Sequence, residues 1–404
     1  LESYLIDNVK EHCFGCRACE QICPQKCIDM IEDNEGFFYP KINVNICIKC
    51  GLCRKACPIN KNNMFSLLNQ PIVYAAWNKN NEILRNSSSG GMFSAIADYV
   101  LNKKGTVFGC AFDNKFIAKH ICTEDKKNMY KIRGSKYVQS DTSDTYKQVK
   151  KLLNKGKYVF YTGTPCQIAA LKSFIGQDYK NLITADLICN GVPSQKIFTQ
   201  YIKHLENIYK GKITEFRFRD KLRYGWTHSY YIKINKDNYN KSKCKTAYLS
   251  SYYYAFLNKM IQRPSCYGCP YSNTKREGDI TIADFWGIEK FYPQIDTSMG
   301  MSLVIINTYK GLDIINALDN KIEKIEMTMN QAKYQQENLK HPIFKPELRN
   351  IIYKEIDKLG FDKAAKMYFV PKHIILVKLK SIIPREVKWK IKKILKYKNI
   401  NYTS

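Results

Sequence analysis

An α+β and α/β chain is predicted, with a small cysteine-ligated module, a mixed-sheet body and a helical basic tail. Three observations carry this expectation. One cysteine spacing occurs twice within the first 57 of 404 residues. Strand-like and helical apolar patterns then alternate from residue 73 onward. The last 34 residues hold ten Lys/Arg and a single acid, Glu386.

The first element is the cysteine module. Nine of the 16 cysteines precede residue 58, as Cys13-x-x-Cys16-x-x-Cys19-x-x-x-Cys23-Pro24 and Cys47-x-x-Cys50-x-x-Cys53-x-x-x-Cys57-Pro58. This is the two-cluster bacterial ferredoxin spacing, in which the fourth cysteine of each run ligates the other cluster. One 4Fe–4S cluster takes Cys13, Cys16, Cys19 and Cys57; the other takes Cys47, Cys50, Cys53 and Cys23. Three thiolates at i, i+3 and i+6 wrap one corner of a cubane, and crossing the fourth ligands ties the halves together over a very small core. Gly15 and Gly51 lie inside the loops, where backbone approaches the sulfides. A disulfide scaffold needs an oxidising compartment, and zinc favours paired Cys-x-x-Cys units. Cys27 is left over, as a buried packing thiol. We place this ferredoxin-like domain at residues 1–69, where eight Lys/Arg meet eight Asp/Glu. Asn60-Lys61-Asn62-Asn63 and Pro71 mark its end.

The body follows, at residues 70–310. Strands are expected at 73–77, 106–112, 158–162 and 182–189, alternating with helices at 91–101, 142–153, 165–174 and 196–205. Pro165 stands at the favoured first helical position. A β-richer stretch gives strands at 215–219, 230–234, 279–283 and 303–307. An α/β extension is placed at 311–370, with helices at 312–318 and 351–358. The tail, 371–404, has Val387, Ile391, Ile394 and Leu395 on one face of a helix from Pro384, with Lys388, Lys392, Lys393 and Lys396 on others. That pattern suits peripheral contact with a membrane or an acidic partner; a solvated helix packed on the domain suits it equally.

Composition bounds the function. The chain is 45% hydrophobic and 25% charged, ordinary for a globular protein. Apolar runs such as 374–377 are far too short to span a bilayer, and no charged-then-apolar signal segment opens the sequence. A cytoplasmic location follows, with the inner membrane face as an alternative through the tail. Lys+Arg 65 against Asp+Glu 36 gives +29, which favours an acidic electron carrier such as ferredoxin or flavodoxin, or an anionic substrate. We expect no nucleic acid partner, because the basic residues are spread widely and no binding motif is visible.

Four later cysteines stand apart. Cys166 follows Gly163-Thr164-Pro165, Cys189 ends a strand, and Cys266 and Cys269 form a Cys-x-x-Cys. Strand ends converge on the crevice of an open α/β sheet. Four thiolates there fit a third 4Fe–4S cluster or a four-cysteine zinc site, or they are independent structural cysteines. Cys110, Cys122 and Cys244 carry no motif. His120, His204 and His228 are lone histidines, expected to be structural. Ser87-Ser88-Ser89-Gly90-Gly91 reads, on its residues alone, as an N-cap and turn.

Six stretches taken together resemble the coenzyme F420 hydrogenase/dehydrogenase beta-subunit family. They are Ser87–Gly91, Arg133-Gly134-Ser135-Lys136-Tyr137-Val138-Gln139-Ser140, Gly163-Thr164-Pro165-Cys166-Gln167, Cys189-Asn190-Gly191-Val192-Pro193, Cys266-Tyr267-Gly268-Cys269-Pro270 and Asp284-Phe285-Trp286-Gly287. They run in family order over roughly residues 1–300. The resemblance implies an iron–sulfur flavoprotein with one FAD and a cluster beside it on Cys166, Cys189, Cys266 and Cys269. It implies cofactor contacts from Ser87, Ser88, Ser89, Gly90 and Gly91, which precede a helix N-terminus suited to a pyrophosphate. It extends them to Gly134, Ser135, Lys136, Tyr137, Gln139, Ser140, Thr164 and Asn190. The function it implies is an oxidoreductase passing electrons between a hydride donor or acceptor at FAD and one-electron carriers through the clusters. Alternatives are an electron-relay subunit of a larger redox complex and a reductase accessory to polysaccharide biosynthesis. No motif separates F420 users from other members, and the catalytic residues stay unassigned.

Overall fold

The computed structural model describes residues 9–60, 68–236 and 239–382. The apolar and basic faces expected for residues 384–396 lie outside them.

The strands are β1 Ile28–Glu32, β2 Phe38–Ile42, β3 Ile72–Asn78, β4 Thr106–Phe112, β5 Ala118–Thr123, β6 Val159–Gly163, β7 Leu182–Leu187, β8 Lys212–Phe218, β9 Ser229–Lys236, β10 Tyr239–Thr246, β11 Ile280–Asp284, β12 Ser302–Ile306 and β13 Ile322–Met327. β1 and β2 form the antiparallel hairpin of the cysteine module. β8, β9 and β10 form a second antiparallel sheet. The other eight make one mixed sheet in the order β13-β3-β12-β11-β7-β6-β4-β5.

Its centre is parallel: β11 with β7, β7 with β6 and β6 with β4. Helices Met92–Asn102, Thr145–Asn154 and Pro165–Ile175 pack against it. A strand covered on both faces loses the polar alternation of a half-exposed one; β12 is accordingly buried at every residue. The parallel arrangement brings the C-terminal ends of β4, β6, β7 and β11 to one edge, where an open α/β sheet forms its crevice.

The sheet does not stop at residue 310. β13 pairs with β3 over Ile322–Met327, so the first part of the expected extension belongs to the body. The expected strand 182–189 ends at Leu187, leaving Cys189 in the loop beyond it. Further on, Arg349 reaches back to the cysteine module and forms a two-pronged ion pair with Glu35. Among the described residues, no helix is long and apolar enough to cross a membrane.

Candidate functional site

The cysteine module folds as the doubled spacing requires. Each loop places two residues at positive φ, Gly15 and Arg17 in the first and Lys49 and Gly51 in the second. The glycine sits at opposite ends of the two turns, so in each loop one side chain bears the left-handed strain of about 1–2 kcal/mol. Gly15 donates its N–H to Cys13 Sγ at 3.3 Å. Burial first, then Cys19, Cys13 and Cys57, push the Cys16 thiol well above its ordinary range. Cys53 is raised by burial and by Cys50 and Cys23. The fourth cysteine of each run is thus among the other run's thiols, as the crossed ligation demands. Cys27 is buried 3.4 Å from Cys23 Sγ.

A second gathering lies at the strand ends. Cys166 is the second residue of helix Pro165–Ile175, Cys189 follows β7, and Cys266 and Cys269 flank the end of the 3-10 turn Pro264–Gly268. The bridge between Pro193 and Gln262 brings these loops together. Burial, then Cys266 and Cys269, push Cys189 up to about 12; burial, then Cys269 and Cys189, raise Cys166 as well. No group of three His, Cys, Asp or Glu among the described residues is spaced for a single metal ion.

The two gatherings are neighbours. Phe14, next to Cys13, packs with Ala169, Tyr271, Cys166 and Cys269, and its ring lies 5.4 Å from that of Tyr271. Arg263 is fully buried between them. It donates to Cys13 O at 2.7 Å, Gln139 Oε1 at 3.2 Å and Phe38 O at 2.9 Å. Its charge works against the burial that raises Cys166 and Cys266.

A cavity of about 830 Å³ opens beside the second gathering, with Cys166 and Cys189 in its wall. Ser87, Ser88, Ser89, Gly91, Gly134, Ser135, Lys136, Tyr137, Gln139, Ser140, Thr164 and Asn190 all line it. Gly90 does not. Its backbone is wedged against the sheet, where a Cβ would strike Ala76 O and the Ser302 amide, so glycine is needed for packing.

Several of these side chains have protein partners. Lys136 Nζ donates to the carbonyls of Lys131, Arg133 and Gly134 at 2.9–3.3 Å, and burial lowers it to about 8. Gln139 holds Phe14 O at 2.9 Å. Ser140 Oγ meets His120 Nδ1 at 2.9 Å, Ser135 donates to Ser88 Oγ at 3.0 Å, and Lys259 donates to Asn190 Oδ1 at 2.9 Å. Thr164 Oγ1 is 3.1 Å from Cys166 Sγ.

Two basic residues behind the serine loop carry no sequence signal of their own. Arg219 is fully buried and pairs with Asp284 through both prongs while donating to Ser88 O at 3.2 Å. Lys221 holds Leu84 O and Ser89 O at 2.7 Å each, and Met299 O. The serine loop's carbonyls are thereby drawn onto two cations from about 130 residues away. Trp286 stacks on Trp226 at 4.3 Å, with His228 at 5.1 Å.

His120 is buried and hydrogen-bonded at both ring nitrogens, to Ser140 Oγ and to Thr162 O at 2.9 Å. Burial lowers it to about 4. Between its unfolded value of about 6.5 and that value, the unfolded chain binds the extra proton, so stability falls as pH falls through this window. We expect His120 alone to cost up to about 3 kcal/mol at pH 4. Melting curves from pH 7.5 to 5 should show a shallower decline in His120→Asn than in the parent.

Fold and thiol geometry together define an iron–sulfur redox protein. Sequence models place it more closely. Residues 12–61 match the 4Fe-4S dicluster domain. Residues 73–147 and 156–331 match the N-terminal and C-terminal models described as coenzyme F420 hydrogenase/dehydrogenase, beta subunit. The chain belongs to the coenzyme F420 hydrogenase/dehydrogenase beta-subunit family.

Curated relatives match short stretches of 53 to 70 residues. An uncharacterized ferredoxin of Methanocaldococcus jannaschii is 40% identical over 53 residues, 13% of this chain and 28% of that protein. A polyferredoxin-like protein of the same organism is 33% identical over 70 residues, 15% of this chain and 39% of its own length. NADH-quinone oxidoreductase subunit I 2 of Geobacter metallireducens is 35% identical over 65 residues, 15% of this chain and 50% of its own length. The chain thus spans half or less of each. Among solved structures, a chain of the F420-reducing [NiFe] hydrogenase complex from Methanosarcina barkeri is 17% identical, with TM-score 0.42, over 76% of this chain and 93% of that one.

Proposed function

We propose that this protein is an FAD-dependent iron–sulfur oxidoreductase, passing electrons between a small hydride donor or acceptor and one-electron carriers through three 4Fe–4S clusters. The observation that carries it is the shared wall: one cavity has the serine–glycine loop on one side and Cys166 and Cys189 on the other. Its volume of about 830 Å³ is in the range of sites for large organic ligands.

The residues fit a flavin dinucleotide. Ser87, Ser88, Ser89 and Gly91 lead into the N-terminus of helix Met92–Asn102, where unpaired N–H groups favour a pyrophosphate. Arg219 and Lys221 fix the loop, and Arg219 adds positive charge near it; burial and then Arg219 lower the Lys221 ammonium to about 7. Lys136 contributes field rather than a free ammonium, because its three donors are committed to carbonyls. Trp286 and His228 offer aromatic surface. A bound flavin supplies the exchange between hydride and single electrons. The chain's own part is to orient it, to exclude water with Tyr137 and Phe256, stacked at 4.5 Å, and to hold Cys166 and Cys189 beside it.

The metal ligands are Cys13, Cys16, Cys19 and Cys57; Cys47, Cys50, Cys53 and Cys23; and Cys166, Cys189, Cys266 and Cys269. We divide the chain into the dicluster module, residues 1–69, a flavin-binding body that runs through β13, a helical extension and the basic tail. Helix Ile374–Ile382 has no buried residue and leaves Ile375, Leu376, Leu379 and Ile382 exposed, which suits peripheral contact with an anionic surface. A larger redox complex and a freely diffusing acidic carrier are both compatible partners.

The test is stoichiometry. After anaerobic purification we expect about 12 iron atoms, as much acid-labile sulfide and one FAD per chain. About eight iron atoms without flavin would leave only the dicluster module and sink the oxidoreductase assignment.

A further inference from the structure

The two cysteine runs are a repeat, offset by 34 residues, yet their surroundings differ. Phe14 lies between the first two cysteines of its run, and Ala18 two residues after Cys16. Both are buried, Phe14 against the second gathering of thiols. Their counterparts in the second run are Ile48 and Leu52, and these are 59% and 38% exposed. Val44 and Ile46, on the approach to Cys47, are 57% and 50% exposed, and Ile59 is 37% exposed. Cys50 itself is exposed. The face that one half uses to dock on the body is therefore presented to solvent by the other half.

Charge is divided in the same way. All eight acids of residues 1–69 lie at or before Glu35. From Gly36 to Asn60 there is none, while Lys41, Lys49 and Lys55 are exposed. Asp29 lies opposite Lys41 in the hairpin, but the apolar residues around Cys47 and Cys50 have Lys49 and Lys55 as their neighbours in sequence and no acid between Gly36 and Asn60, which complements a carrier with an acidic rim.

We propose that this collar, Val44, Ile46, Ile48 and Leu52 with Lys49 and Lys55, is the docking surface for an acidic one-electron carrier protein. It rests on the proposed redox function and names the partner's side of it. In each encounter the carrier loses one electron and the module gains it, or the reverse; no bond forms or breaks and no proton is required.

The test uses the full chain, reconstituted anaerobically, and an acidic two-cluster ferredoxin reduced beforehand and freed of reductant. Stopped-flow bleaching of the module's own absorbance reads the transfer, with no need for a flavin. The parent's second-order rate should fall about tenfold between about 0.05 and 0.5 M salt, as charge attraction is screened. Ile48→Asp and Ile46→Asp should each lower it at least tenfold at low salt, Lys49→Glu/Lys55→Glu similarly, and Ile48→Val should restore it. Reduction by methyl viologen radical, a small cation that needs no docking face, should be unchanged in all. Val44→Asp, three residues before Cys47, should lower the ferredoxin rate similarly and covers the case in which Ile48→Asp or Ile46→Asp, both beside Cys47, fails to bind iron. Unchanged ferredoxin rates in variants with full iron content would overturn the proposal. So would a parent that exchanges electrons with methyl viologen but not with the ferredoxin, and that result would leave the proposed function intact. Absence of flavin would overturn the function and leave the docking surface standing.

Discussion

Cys189→Ser is expected to yield a folded protein with about eight iron atoms per chain in place of about twelve. Electron passage between the cavity and the cysteine module should fall by at least a hundredfold. Cys189 leaves β7 at the edge where four parallel strands end, and it lies in the cavity wall. The other proposed ligands, Cys166 at the start of helix Pro165–Ile175 and Cys266 and Cys269 around the turn Pro264–Gly268, sit in segments held by packing and backbone hydrogen bonds. The loss should therefore be local. Iron and sulfide analysis with a hydride-donor assay reads it: flavin bleaching should persist while reduction of an external one-electron acceptor disappears. Full iron content in the variant would show that Cys189 is not a ligand.

Arg263→Met should have the largest effect on stability. The guanidinium satisfies Cys13 O, Gln139 Oε1 and Phe38 O and lies over the rings of Tyr39 and Phe37 at 4.3 and 5.3 Å. Removing it strands three buried acceptors at about 1–3 kcal/mol each. We expect a loss of about 3 kcal/mol or more, read by denaturant melts of the anaerobic holoprotein. Arg263 is also a cation between two anionic thiolate sets, so its loss should move both midpoint potentials to more negative values. Arg263→Lys should recover much of the potential and little of the stability, because a point charge cannot reproduce the three-way fork. Unmoved potentials in Arg263→Met would reduce the residue to a packing role.

Much of this was legible in the sequence because the chemistry imposes strict spacing. The doubled cysteine runs place eight thiols with no help from tertiary structure, and the buried strands β3, β4, β6, β11 and β12 declare themselves as apolar runs. What stayed hidden has physical reasons. β10, Tyr239–Thr246, is a polar edge strand, so no apolar alternation marks it. β13 alternates only weakly and reads as part of an extension, although it closes one side of the main sheet. Within the site, Arg219 and Lys221 lie about 130 residues from the serine loop they hold, a distance no local pattern spans. The resemblance makes Lys136 a cofactor contact; only the backbone of residues 131–134, folded around it, shows that its donors are spent on carbonyls.

The clamp between Arg349 and Glu35 joins groups 314 residues apart along the chain. During synthesis the cysteine module leaves the ribosome before the body it packs on, and the residue that pins it follows later still. At roughly 5–20 residues per second, some 15–60 s separate residue 60 from residue 349. Until residues 166–271 have followed, the module's inner face, with Phe14 and the Cys13 loop, lacks the groups it packs on, and the Arg349 pin comes later again. Iron delivery to the first run therefore has an open window that narrows as residues 166–271 fold over it and ends once helix Arg349–Leu359 adds its clamp, and the order of assembly is written into the order of translation.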